Sequence, residues 1–212
     1  MLCVYCLCDS ELRNEQILVR GDDFYLCAPR GQLVEGYLVI APYRCFGCLA
    51  MLPYRCFAEL ARMKRLVLDF YRDVYGIAQP TFYEQGRAGG GASTDEAGGF
   101  PLHAHLCCLP CTVDVHGLLS SRFLRENLSG PHELAAAARS EPYVYAESGG
   151  EVAMYVPRGD TGRAELERMR LKPEIATLLG LPERGHWRAY PGDQELERVI
   201  QRFTAFQEGI RL

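Results

Sequence analysis

The sequence predicts an α+β fold: an antiparallel sheet of about five strands with one long helix against it, followed by a mainly helical C-terminal extension. Three observations carry this expectation. Short runs rich in β-branched and aromatic residues, bounded by turn residues, recur between residues 16 and 42 and again near 81–85 and 102–109. A single long apolar stripe at helical spacing runs from Pro53 to Tyr75. Beyond residue 116 the clearest periodic segments are helical. The division that follows is a core over 1–115 and an extension over 116–212 packed on it.

Taken in order, Gln16–Arg20 and Asp23–Ala28 read as strands joined by a Gly21-Asp22 turn. Gly36–Pro42 is almost wholly apolar, which suits a central strand. The helix that follows carries Phe57, Leu60, Met63, Val67, Phe70 and Val74 along one side and stops at Gly76. Thr81–Gln85 is the next strand. The glycine-rich stretch from Gly86 to Gly99 reads as a loop, or as a flap beside the strand after it. Further on, helices are expected over Ser120–Glu126 and His132–Arg139. Tyr143–Ala146 and Val152–Val156 form a hairpin with a loop longer than two residues. The last expected helices are Ala164–Leu179, kinked at Pro173, and Gln194–Phe206.

The stretch Leu102–Pro110 (LHAHLCCLP) carries the chemistry. It alternates with period 2, so Ala104, Leu106 and Cys108 share one side of a strand, and His103, His105 and Cys107 the other. Imidazole and thiol groups aligned on one strand face call for a chemical explanation. The chain has 10 cysteines, and Cys3-Val4-Tyr5-Cys6 is a C-x2-C knuckle that offers two thiolates to one tetrahedral zinc. No apolar run reaches membrane-spanning length and no signal-peptide core opens the chain, so the expected location is cytoplasmic, without a membrane partner. A net charge of -4 argues against a nucleic-acid partner.

Four elements in order, C-x2-C, an apolar strand ending Ala41-Pro42-x-x-Cys45, Tyr83-Glu84-Gln85-Gly86 and His103-x-His105-x-x-x-Leu109-Pro110, resemble the histidine triad (HIT) superfamily of nucleotide hydrolases and transferases over about residues 1–112. The resemblance implies that His105, the middle histidine, attacks the α-phosphate of a nucleotide or nucleotide conjugate. It also implies a structural zinc held by Cys3, Cys6, Cys45 and His103, with Cys45 where a histidine is usual and Cys48 and Cys8 as competing ligands, and a homodimer paired through the long helix. Cys107 departs from the pattern, standing where the hydrolase branch has its third histidine. A thiol is a weak donor beside a phosphate, so Cys107 has either an altered chemical role or only a packing role. Arg44, Arg87, Ser93 and Thr94 are candidate phosphate contacts, and Arg168 and Arg170 are further arginines to weigh. The implied activity is a nucleotidyl hydrolase working through a nucleotidyl-histidine. The alternatives are a transferase or phosphorylase of the same superfamily and a non-catalytic, zinc-stabilised nucleotide-binding protein.

Overall fold

The structure, a computed structural model, describes Tyr5 and residues 12–87, 103–138 and 141–209. Fourteen elements follow one another: β1 (Ile17–Arg20), β2 (Phe24–Cys27), β3 (Leu38–Pro42), α1 (Cys56–Tyr75), β4 (Thr81–Arg87), β5 (Leu106–Leu109), α2 (Val115–Ser120), β6 (Leu124–Asn127), α3 (Leu134–Ala137), β7 (Pro142–Ser148), β8 (Glu151–Val156), α4 (Gly159–Arg168), α5 (Leu171–Leu178) and α6 (Asp193–Gln207). The eight strands form one open sheet in the order β1-β2-β3-β5-β4-β7-β8-β6, with every neighbouring pair antiparallel.

The α+β class holds; the expected count of about five strands does not. The sheet continues across the 115/116 boundary because β7 pairs with β4 from Phe82↔Glu147 to Arg87↔Pro142, and β8 and β6 follow outward. The second half of the chain therefore contributes strands as well as helices. The β7–β8 loop is the two-residue kind: Ser148 pairs with Glu151, and Gly149 (φ 59) and Gly150 (φ 81) both take the left-handed conformation. Such a turn matches the strand twist, so the strands extend to its edges.

Two helix expectations also shift. Residues 124–127 form an exposed edge strand, and the helix lies earlier, over Val115–Ser120. Asp114 starts it by accepting from the Gly117 N–H at 2.7 Å, a side-chain cap that draws the start towards Asp114. The expected 164–179 helix is broken between Arg168 and Leu171, not at Pro173. Proline in the first turn of α5 costs no hydrogen bond, since no helical partner exists there for its nitrogen.

Both faces of the sheet are covered. Leu38, Ile40, Ala104, Leu106 and Cys108 share one core with α1 (Leu60, Val67, Phe70) and α6 (Leu196, Val199, Phe203). The Phe70 and Phe203 rings meet at 4.8 Å, so α6 packs beside α1. Helix α1 ends at Gly76 (φ 68), whose N–H donates to the Arg72 carbonyl. On the other face Val39, Tyr83, Cys107 and Leu109 pack against Leu166, Met169, Leu171 and Ile175 of the C-terminal helices. Among the described residues no helix is long and apolar enough to cross a membrane.

Candidate active site

Strand β5 lies between β3 and β4, so residues leading into it sit at the middle of the sheet. Hydrogen-bonded strand structure in β5 begins at Leu106, and His103, Ala104 and His105 form the approach to it; Leu102 lies outside the described residues. The expected alternation survives. Ala104, Leu106 and Cys108 all belong to the α1 core, and Cys107 belongs to the opposite one.

His105 is half-buried, and its Nδ1 lies 2.7 Å from the His103 carbonyl oxygen. A carbonyl only accepts, so Nδ1 carries a proton, and in the neutral ring the lone pair belongs to Nε2. The ring of Tyr5 stacks on the imidazole with centroids 4.8 Å apart and planes 27° apart, and the Tyr25 hydroxyl donates to the Tyr5 carbonyl at 2.6 Å. The tautomer and the plane of the ring are thus both fixed by neighbours.

His103 is 1% exposed, and its Nε2 donates to the Pro42 carbonyl at 2.6 Å. Any metal at His103 must use Nδ1. The segment after β3 is fastened alongside, since the Ala104 N–H donates to the Phe46 carbonyl at 2.6 Å. Cys45 and Arg44, both exposed, lie on that segment. Cys3, Cys6, Ser93 and Thr94 lie outside the described residues, and Arg87, at the end of β4, is described by its backbone alone. Among the described residues no group of three or more histidine, cysteine or acidic side chains is placed to hold a metal. Of the expected zinc set only Cys45 and His103 are described: the Cys45 segment is tied to the His103 stretch through the Ala104–Phe46 bond, and the ring of Tyr5, from the C-x2-C stretch, lies 6.4 Å from that of His103.

Cys107 is 4% exposed, and the Tyr37 hydroxyl donates to its Sγ at 3.0 Å. Burial pushes the thiol up, against the opposing pull of the Tyr37 and Tyr83 hydroxyls and the Lys172 charge, so it stays protonated at neutral pH. Replacing Cys107 with serine is expected to leave turnover within about threefold and to cost about 1 kcal/mol of stability through a poorer fit to Tyr37. A loss of about a hundredfold, roughly 2.7 kcal/mol of barrier, in steady-state assays would assign the thiol a chemical role.

Two residues of the Y-E-Q-G stretch matter in ways that strand assignment alone did not reveal. Glu84, 1% exposed, accepts from the Leu49 N–H at 2.8 Å and from the Tyr143 hydroxyl at 2.5 Å. Burial raises its carboxyl to about 7, against those two hydrogen bonds and the nearby His105. It lies on the α1 face and secures the turn that follows the Cys45 segment. Gln85 lies on the His105 face; continuing the β4–β5 register beyond Tyr83↔Cys107 sets it level with His105. Its amide nitrogen donates to the Leu166 and Met169 carbonyls at 3.1 and 2.9 Å, and its oxygen accepts from the Leu171 N–H at 3.2 Å. These bonds replace helical ones at the α4–α5 break and hold the extension against the sheet. A charged residue next to an amide inside an otherwise apolar strand was the available signal.

An open cleft of about 440 Å³ at that break is lined by Arg122, Glu165, Arg168, Met169 and Arg170, among others. A second, of about 310 Å³, lies by Arg20, Glu59 and Arg62. Neither is lined by His105. Comparison with protein-family models returns no match, and a search of curated proteins returns none either.

Proposed function

We propose that the protein is a HIT-type nucleotidyl hydrolase that cleaves a nucleoside monophosphate from a phosphate, phosphonate or other small conjugate. The observation that carries this reading is the 2.7 Å contact from His105 Nδ1 to the His103 carbonyl, which in the neutral ring makes Nε2 the nucleophilic nitrogen. Held by that bond and by the Tyr5 stack, the imidazole needs little reorganisation to attack.

In the first step Nε2 attacks the α-phosphorus; the P–N bond forms as the P–O bond to the leaving group breaks, and the leaving oxygen departs with the electron pair. In the second, water attacks the same phosphorus, the P–N electrons return to Nε2, and the released proton goes to solvent. If an alcohol or phosphate replaces water, the same intermediate gives a transferase or phosphorylase. Cys107, buried and held protonated, is poorly suited to deliver a proton. The suitable leaving groups are therefore those already stable as oxyanions, which favours phosphate and phosphonate conjugates.

Cys3, Cys6, Cys45 and His103 Nδ1 would hold a zinc whose four protein ligands close its coordination. Its contribution would be structural, anchoring the N-terminal knuckle and Tyr5 over the site. Carefully prepared protein should contain about one zinc per chain, and Cys3→Ser should lose it with a lower thermal midpoint. Elemental analysis that finds no metal in the wild type would remove zinc from the account. A homodimer through α1, which the resemblance implies, has to accommodate α6, already packed beside that helix.

The test of function is incubation with a panel of nucleoside monophosphate conjugates, with products read by mass spectrometry. Release of a nucleoside monophosphate is expected from at least one phosphate or phosphonate conjugate. No release from any of them would set the hydrolase reading aside in favour of a binding protein.

A further inference from the structure

The glycine of the Y-E-Q-G stretch does more than end it. Gly86 stands directly across from Tyr143 of β7, and a Cβ on Gly86 would meet the Tyr143 ring at 2.2 Å. The ring lies across β4 at this point because no side chain is in its way. Glu84, two residues back on the same strand, shares that face. The Tyr143 hydroxyl reaches it and donates to Oε2 at 2.5 Å.

The same two side chains take up successive amides of the turn that follows β3. The Leu49 N–H donates to Glu84 Oε1 at 2.8 Å, and the Ala50 N–H donates to the Tyr143 oxygen at 3.0 Å. Glu84 is 1% exposed and Tyr143 is fully buried, on a face that is otherwise an apolar core. Burying a carboxylate is costly even when it is hydrogen-bonded, and an apolar side chain would fill this space without that cost. Its bonds do what an apolar residue cannot: they fix a main-chain segment in one arrangement.

That segment meets the histidine stretch at its other end. The Pro42 carbonyl accepts from His103 Nε2, and the Phe46 carbonyl accepts from the Ala104 N–H, each at 2.6 Å. Ala104 links His103, whose carbonyl orients the imidazole, to His105. Residues 42–50 are thus fastened at one end to the His103–Ala104 main chain and at the other to Glu84 and Tyr143. We propose that Glu84 and Tyr143, seated on Gly86, are positioning residues for His105, acting through the segment that holds its orienting carbonyl in place. Neither side chain has to touch substrate. Their effect on turnover rests on the hydrolase reading; their effect on the ring does not.

The test reads the ring and the reaction separately. In ¹⁵N spectra taken with the imidazole neutral, wild-type His105 should show the Nδ1-protonated tautomer. Glu84→Leu and Gly86→Ala should move its signals towards an average of both tautomers and speed hydrogen exchange at the Ala104 amide by about tenfold or more. Tyr143→Phe should shift both in the same direction. Tyr145→Phe removes a similar bond, to Glu147 at 2.6 Å, from the same strand and core, and should change neither. With a conjugate that wild type cleaves, Glu84→Leu should lower kcat by about tenfold to a hundredfold and leave KM within about threefold. Glu84→Gln, which keeps an oxygen for the Leu49 N–H, should recover most of that rate.

An unchanged tautomer and unchanged Ala104 exchange in Glu84→Leu overturn the proposal. If that variant does not fold, the same result in both Tyr143→Phe and Gly86→Ala overturns it, and so does an equal response in Tyr145→Phe. Should the ring loosen as expected while wild type cleaves no conjugate, the hydrolase reading fails and the positioning role stands. Should a His105 adduct form at wild-type rate in variants whose ring is undisturbed, the positioning role fails and the hydrolase stands.

Discussion

Replacing His105 with alanine or asparagine should lower turnover by on the order of 10⁴-fold or more, about 5 kcal/mol of barrier, while nucleotide conjugates still bind. The size of the effect follows from the site. The His103 ring is oriented by the Pro42 carbonyl, so its Nε2 is engaged, and its Nδ1 is the nitrogen that the proposed zinc would take. The Cys107 thiol is buried and held protonated, so it does not substitute as a nucleophile. Without the imidazole the covalent step has no route, whereas contacts to the rest of the substrate remain. Single-turnover kinetics alongside equilibrium binding separate the two. A His105→Ala enzyme working at near wild-type rate would reduce the resemblance to one of pattern only.

The second large effect concerns Glu84 and pH. Its carboxyl is raised from 4.5 to about 7 in the folded protein, chiefly by burial. Between those values the folded chain holds a proton that the unfolded chain has given up. The associated stability is therefore fully present below about pH 4.5 and is lost as pH rises through about 7. At about 1.4 kcal/mol for each pH unit of separation, the loss comes to about 3 kcal/mol. Glu84→Gln carries no titrating group, so wild type should lose about 3 kcal/mol relative to it between pH 4.5 and pH 7.5 in urea denaturation. Parallel pH profiles for the two proteins would show that Glu84 ionises normally in the fold.

Much of the core could be read from the sequence because its signals are local. The apolar run of β3, the stripe and glycine stop of α1, and the alternation at 104–108 each lie within one segment, and the structure keeps all three. The surplus strands were harder to see. Residues 124–127 are polar and exposed, and become a strand only because β8 lies beside them. The α4–α5 break was misplaced at Pro173 because its cause is Gln85, remote in sequence, which takes over hydrogen bonds that the helix would otherwise make. The candidate site divides in the same way. His105 stood out by residue type and spacing. The group that orients it is a main-chain carbonyl, which every residue has and no pattern marks.

The central claim is that His105 Nε2 forms a bond to phosphorus. The most direct measurement is peptide mass analysis of wild-type protein quenched during turnover under conditions that preserve acid-sensitive phosphoramidates. The account predicts an added nucleoside monophosphate on the peptide containing His105, absent in His105→Ala and discharged when the quench is delayed. An adduct mapping to Cys107 or Cys108, or turnover without any adduct on that peptide, would contradict it.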